Sequence, residues 1–365
     1  MENRMQGFIR ISKYAGMRND LAQAGGGNTS VKLDDRVMLV KSSGFQLADV
    51  SEDSGYTKID YRMIVDYFQE NVRADRQSVP AEADAFTEET GKKLLREAQI
   101  EGGRASIETF LHAITGKYTL HSHPALVNIL TARAGGMDVL HTLFPEAVLV
   151  PYRKPGAALA KAYYKRYCGQ QAQGADGSVI FLENHGLVVS GGSADQVIGR
   201  TEEILQKIAD YLQLPYEACP NATKLWDAFA EIPGLKDKIV YLSENGFLSR
   251  NGLAQAVLKE EKWNQAFCPD CIVYGSKRPL FLADDFSAAD LTAFMEKNGI
   301  PAMICFRGYF YILAESVKKA QEIENVMSFA AQVKAANLSH EMNYLSEGQQ
   351  DELLNWDAEK FRRQL

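Results

Sequence analysis

Lys117-Tyr118-Thr119-Leu120-His121-Ser122-His123-Pro124 reads as a β-strand that ends on two histidines and is closed by proline. Side chains two apart in a strand leave the same face, so both imidazoles point to one side, as ligands of a single metal must. A second strand, Ser178-Val179-Ile180-Phe181-Leu182, runs into Glu183-Asn184-His185-Gly186, and upstream Ala105-Ser106-Ile107-Glu108-Thr109 opens an apolar helix. Three histidines and one carboxylate are therefore candidates for one site. Catalytic metal sites typically take three protein ligands and keep a position open for water or substrate.

Outward from these residues the chain alternates: helix 106–115, strand 117–121, helix 124–134, strand 147–150, helix 156–171, strands 178–182 and 186–190, helix 193–213. That order predicts a layered α/β domain. Before it, Phe8, Ile11, Tyr14, Ala15 and Leu21 recur at helical spacing from Arg4 to about Ala24, and Gly25-Gly26-Gly27 ends the helix. Val31-Lys32-Leu33 and Val37-Met38-Leu39-Val40 flank Asp34-Asp35 as a hairpin that leads to a second small-residue turn, Ser42-Ser43-Gly44. The polar stretch from about Asp49 to Pro80 is expected to be loop-rich.

Leu214-Pro215 breaks the last helix, which predicts a catalytic domain over 1–215, a connecting segment with little strand signal over 216–262, and a small α+β domain over 263–365. The last part reads strand Cys271–Tyr274, helix Ala288–Asn298, strands Ala302–Phe306 and Tyr309–Leu313 joined by a tight turn at Arg307-Gly308, and helix Ser316–Ala336. That helix and the tail Gln349–Leu365, with Trp356 and Phe361, are expected to be a solvated helix and a docking segment, structural or oligomeric in role.

Length and composition agree with two globular domains: 365 residues, 46% of them hydrophobic. A formal charge of −7 without long like-sign runs leaves no electrostatic footprint for nucleic acid or an anionic membrane. Met1–Gly7 leads into polar sequence without the apolar core of a secretory signal, and no run reaches membrane-spanning length, so a cytoplasmic protein is expected. Five cysteines do not read as a disulfide framework, and Cys168, Cys219 and Cys305 are expected to be reduced and partly buried. Cys268-Pro269-Asp270-Cys271 lacks a second pair or nearby histidine, so a structural role is favoured over zinc or redox chemistry. No Gly-x-Gly-x-x-Gly fingerprint accompanies the strands around it.

Each candidate has a plainer reading. Histidines also sit in cores bonded to carbonyls, and Glu108, behind Ser106 as N-cap, would favourably face the helix dipole. His112, four residues on, could support Glu108, ligate or pack; support or packing is expected, three histidines being already assigned. The Gly25–Ser30 turn could simply stop a helix and start a hairpin. Its freed amides, with Asn28, Thr29, Ser42 and Ser43 nearby, also make the kind of nest that binds phosphate.

Gly27-Asn28-Thr29-Ser30-Val31, Ser42-Ser43-Gly44, Ser106-Ile107-Glu108-Thr109, His121-Ser122-His123-Pro124, Pro151-Tyr152 with Pro155-Gly156, and Glu183-Asn184-His185-Gly186-Leu187 occur in the order found in the class II aldolase/adducin family. The chain resembles that family over roughly residues 5–213, and around Glu108 it is most similar to the rhamnulose-1-phosphate aldolase members. The resemblance implies a three-layer α/β/α fold with a mixed, mostly antiparallel sheet. It implies Zn2+ or another divalent metal on His121, His123 and His185, and Glu108 as the base. It implies a substrate phosphate held by Gly27, Asn28, Thr29, Ser43, Gly44 and Ser106.

The activity so implied is cleavage of a sugar phosphate, a ketose 1-phosphate, to dihydroxyacetone phosphate and an aldehyde, by a homo-oligomer, with a tetramer favoured. Epimerases, dehydratases and decarboxylases of the family reuse the same residues, and a non-catalytic adducin-like module is a third reading. Two departures stand out. Ile107 replaces a second serine common in family aldolases, and no tyrosine between Ala134 and Pro145 matches the acid some members use.

Overall fold

The computed structural model describes residues 3–71, 87–167, 177–250, 252–259, 265–276 and 278–355, which fall into two compact units, Met1–Tyr216 and Glu217–Leu365. The first unit runs α1 (Arg4–Gly16), β1 (Asn28–Lys32), β2 (Val37–Lys41), β3 (Tyr56–Asp60), α2 (Tyr61–Asn71), α3 (Glu88–Ala98), β4 (Gln99–Gly102) and α4 (Thr109–Ala113). It continues with β5 (Tyr118–Ser122), α5 (Ala125–Thr131), α6 (Gly136–Leu143), β6 (Val148–Val150), α7 (Ala157–Tyr167), β7 (Val179–Leu182), β8 (Gly186–Gly191) and α8 (Ala194–Leu212).

Eight strands form one mixed sheet in the order β4-β3-β2-β1-β5-β8-β7-β6, antiparallel throughout except for β6 against β7. Alternation along the strands splits their side chains between two helical layers. Met38, Val40, Ile59, Ile180, Leu182 and Val188 pack with Ile64, Phe68, Phe110, Leu111, Leu159 and Tyr163 of α2, α4 and α7. On the other face, α1, α5 and α8 lie against β1, β5 and β8. The result is the three-layer α/β/α arrangement expected.

Two local expectations are corrected. The segment from Asp49 is not all loop: β3 and α2 lie within it, and residues 72–80 fall outside the described residues. Thr57 and Ile59 are buried in a five-residue strand that ends on the buried, charged Asp60, a short alternation among polar neighbours, while Ile64, Val65 and Phe68 supply the buried face of α2. The first helix ends at Gly16 rather than near Ala24. A Cβ on Gly16 would stand 2.1 Å from the Ala48 backbone nitrogen, and beyond it the chain is held by Arg18. That guanidinium, 2% exposed, makes a bidentate pair with Asp20 (2.9 and 2.7 Å), pairs with Glu202, and donates to the Tyr216 hydroxyl at 2.6 Å.

The second unit contains α9 (Ala218–Ala230), β9 (Ile239–Leu242), α10 (Gly246–Arg250), α11 (Gly252–Lys259), α12 (Pro269–Val273), β10 (Leu280–Leu282), α13 (Ala288–Asn298), β11 (Met303–Phe306), β12 (Tyr309–Ala314), α14 (Val317–Ala336) and α15 (Glu347–Asn355). Its sheet order is β10-β11-β12-β9. The stretch 216–262 therefore contributes a strand, β9, antiparallel to β12. Arg307 (φ 49°) and Gly308 (φ 82°) both take left-handed conformations, as a tight hairpin of type I′ requires.

Cys271–Tyr274 is not a strand. Ile272 and Val273 suggest one by their branching, but Pro269 at the first helical position behind Cys268 starts α12, and the first strand of the expected order is β10. Nor is α14 a solvated helix, because Ala320, Ile323, Met327, Ala330 and Ala331 pack into the core of this unit with Met303, Phe310 and Ile312. Cys219 is partly exposed and Cys305 buried; Cys168, Trp356 and Phe361 lie outside the described residues.

Candidate metal centre

Antiparallel register brings the pieces together. His121 on β5 stands opposite Asn28 on β1 and Val188 on β8, so these three share a face, the one covered by α4. The β7–β8 connection is tight, with Asn184 left-handed (φ 51°), and it turns His185 back over the end of β5. Glu108 precedes α4, which is only five residues long, not the expected 106–115. Its backbone amide donates to Ser106 Oγ at 3.3 Å, and its own side chain caps nothing, leaving the carboxylate to face the imidazoles.

The Nε2 atom of His121 lies 3.1 Å from that of His123 and 3.3 Å from that of His185. Glu108 Oε1 is 3.2 Å from His121 Nε2 and 3.5 Å from His185 Nε2. All four donor atoms lie within 4.8 Å of one another. Nitrogens bound about 2.0–2.1 Å from a tetrahedral zinc stand about 3.3 Å apart, so the spacing matches a shared divalent cation. The donor chemistry matches too. His121 Nδ1 is 3.0 Å from the Leu187 carbonyl, which can only accept, so the proton sits on Nδ1 and the Nε2 lone pair faces the cluster.

Burial favours the neutral carboxylate of Glu108, but its contacts with the His121 and His185 imidazoles outweigh it and hold the carboxyl well below its usual range. Burial likewise pushes His121 down, and its contacts with Glu108 and Leu187 more than offset this, so its value is raised. His123 is lowered to about 4 by burial and by the neighbouring imidazoles.

Two glycines allow this crowding. A Cβ on Gly26 would stand 2.9 Å from His123 Nδ1, so the glycine turn forms a floor under that ring. One on Gly186 would stand 2.3 Å from the Ser122 carbonyl and 3.2 Å from His123 Cδ2. His112 is not a member of the donor cluster. Fully buried, it meets Ser30 Oγ through Nδ1 at 2.8 Å, and burial lowers its value to about 3.

The other candidate residues divide. Asn28, 1% exposed, starts β1 beside His121, and its Oδ1 has no hydrogen-bond partner among the described residues. Ser42 bridges Ala105, and the Ser43 amide donates to the Arg104 carbonyl at 2.8 Å, so the Ser43-Gly44 turn is tied to the loop that carries Ser106. Gly27 is left-handed (φ 76°) at the mouth of β1. The Thr29 side chain goes elsewhere: its hydroxyl meets Ser12 of α1 at 2.6 Å, on the opposite face.

Sequence reading misses Lys41. This lysine is 3% exposed, and its Nζ donates to the Phe45 carbonyl at 2.7 Å and reaches those of Gly25 and Ser42 at 3.5 Å. It thus links the two small-residue turns. Burial lowers its value against the opposing pull of Glu108 and Asp49. The available signal is a lysine directly before Ser42-Ser43-Gly44, at the end of an apolar strand.

Comparison with known proteins gives this arrangement a family. The model of the class II aldolase and adducin N-terminal domain matches residues 6–211, and the chain belongs to that family. The uncharacterized oxidoreductase YuxG of Bacillus subtilis (strain 168) is 26% identical over 219 residues, 56% of this chain and 29% of that protein, so the chain spans less than a third of that relative. Among solved structures, the N-terminal class II aldolase domain of a conserved Thermoplasma acidophilum protein aligns at 26% identity and TM-score 0.48, covering 58% of this chain and 95% of that one. A sugar-phosphate aldolase from Thermotoga maritima aligns at 15% identity and TM-score 0.41, over 57% and 94%.

Proposed function

We propose that the chain is a divalent-metal aldolase that cleaves a ketose 1-phosphate to dihydroxyacetone phosphate and an aldehyde, with catalysis in the first unit. The observation that carries this reading is the convergence of three Nε2 atoms and Glu108 Oε1. His121, His123 and His185 would hold the cation, zinc by preference for three nitrogen donors. Bound there, a divalent cation supplies Lewis-acid polarisation of a carbonyl and stabilises negative charge developing on oxygen.

The chain's own groups do the rest. Glu108 is held ionised, so its Oε1 can accept the hydroxyl proton of the carbon released as aldehyde and return a proton to the carbon left behind when the bond between them breaks. Asn28, the amides around Gly27 and the Ser43-Gly44 and Ser106 loops anchor the phosphate, with the Lys41 ammonium behind them. Thr29 contributes through its backbone, since its hydroxyl is engaged with Ser12. Anchoring the phosphate fixes the reacting carbons relative to Glu108, which is the entropic part of catalysis. A homo-oligomer, a tetramer by family resemblance, is the assembly we propose.

The intact donor set favours an enzyme over a non-catalytic module. The test is a screen of ketose 1-phosphates for release of dihydroxyacetone phosphate, with and without chelator. Chelator-sensitive release from at least one ketose phosphate is expected. Isomerisation or decarboxylation without triose phosphate would replace this reading by another family chemistry.

A further inference from the structure

Cys268 and Cys271 play no part in the site described above. Cys268 is the N-cap of α12 and Cys271 lies in its first turn, three residues on, so the helix sets their side chains on one side. The two Sγ atoms stand 3.3 Å apart, and both cysteines are partly exposed. Their approach follows from the local sequence. Pro269 takes the first helical position, and Gly275 donates its amide to the Cys271 carbonyl at 3.2 Å to close the short helix. Cys271 also lines a cavity of about 20 Å³ with Phe267, Met327 and Lys334.

We propose that Cys268 and Cys271 are a dithiol site that closes to an intrachain disulfide by exchange with a small-molecule disulfide such as oxidised glutathione. A disulfide needs sulfurs about 2.0 Å apart, about 1.3 Å closer than the observed 3.3 Å. Cys268 loses its proton to water and attacks one sulfur of the glutathione disulfide; that S–S bond breaks and the departing glutathione thiolate takes up a proton. Cys271 then loses its proton, attacks the Cys268 sulfur of the mixed disulfide, and expels the second glutathione as a thiol. Two electrons and two protons pass from the protein to one glutathione disulfide, yielding two glutathione thiols.

The order of attack follows from placement: Cys271 lines the cavity with Phe267 and Met327, whereas Cys268 sits outside that lining at the helix N-cap. The Cys271 thiol is pushed up to about 12 by burial and by its hydrogen bond and charge interaction with Cys268. It is therefore the poorer first nucleophile and becomes effective only when the mixed disulfide is held beside it. Among the described residues no third histidine, cysteine or carboxylate donor joins the pair, so what it offers is two sulfurs.

The test uses the reduced full chain, incubated with oxidised glutathione, acid-quenched, alkylated with iodoacetamide in denaturant, and mapped by peptide mass. The peptide holding both cysteines should lose the mass of two hydrogen atoms and take no alkyl group, while Cys305 is alkylated, and dithiothreitol should restore both thiols. Alkylation of both cysteines after oxidation, or a separate glutathione on each, overturns the proposal. The Cys271→Ser variant should stall with one glutathione on Cys268; an adduct absent there but present on Cys271 in Cys268→Ser reverses the order and overturns the assignment of attacker.

Discussion

His121 donates from Nδ1 to the carbonyl of Leu187 at 3.0 Å, across the β5–β8 pair. One backbone contact thus fixes both the tilt of the ring and the tautomer, and leaves Nε2 as a lone pair aimed at His123, His185 and Glu108. His121→Asn keeps a polar side chain but withdraws that lone pair. The variant should fold, as judged by circular dichroism, and retain little divalent metal after gel filtration, where the parent keeps about one ion per chain.

Glu108 should separate chemistry from binding. Glu108→Gln preserves shape and removes the base, so turnover should fall about 10²- to 10⁴-fold while metal content stays near that of the parent. Unchanged turnover, measured on the ketose phosphate found in the screen, removes Glu108 from the mechanism.

Gly186→Ala places a methyl 2.3 Å from the Ser122 carbonyl and against the His123 ring. The backbone of β5 must shift, and His123 with it. Metal affinity should drop about 10- to 100-fold, as for a displaced supporting group, with a stability loss of about 1–3 kcal/mol from overpacking. Competition with a chromogenic chelator reads the first and urea unfolding the second.

Acid stability should report on His112. Its value is about 3 in the fold against an ordinary 6.5, because burial penalises the charged ring. Above pH 6.5 it is neutral both folded and unfolded and the stabilising difference is complete. Between 6.5 and about 3 the unfolded chain binds a proton that the folded one does not, so stability falls by about 1.4 kcal/mol per pH unit from this group. Unfolding free energies from about pH 7 to pH 5 should therefore decline less steeply in His112→Asn than in the parent. Equal slopes would contradict the assignment.

Much of this fold is legible in the sequence because its chemistry sits at the ends of apolar strands. Val179–Leu182 and Gly186–Gly191 are buried along their whole length, and His123 precedes Pro124 while His185 precedes Gly186, just outside the strands. Less legible are elements whose buried half is small. Tyr56–Asp60 carries two apolar or hydroxyl residues inward among charged neighbours, and α12 reads as a strand from its branched residues although its proline starts a helix. Thr29 and Lys41 escape for a different reason. Which face of β1 a hydroxyl takes, and whether a lysine at a strand end is buried between two turns, depend on partners distant in sequence, Ser12 in one case and Gly25 with Phe45 in the other.

The most direct test of the central claim is anomalous diffraction at the zinc edge from crystals of the full chain grown with zinc. The account predicts one strong peak about 2.0–2.1 Å from the Nε2 atoms of His121, His123 and His185. No peak there, or a peak found only between Cys268 and Cys271, would contradict it.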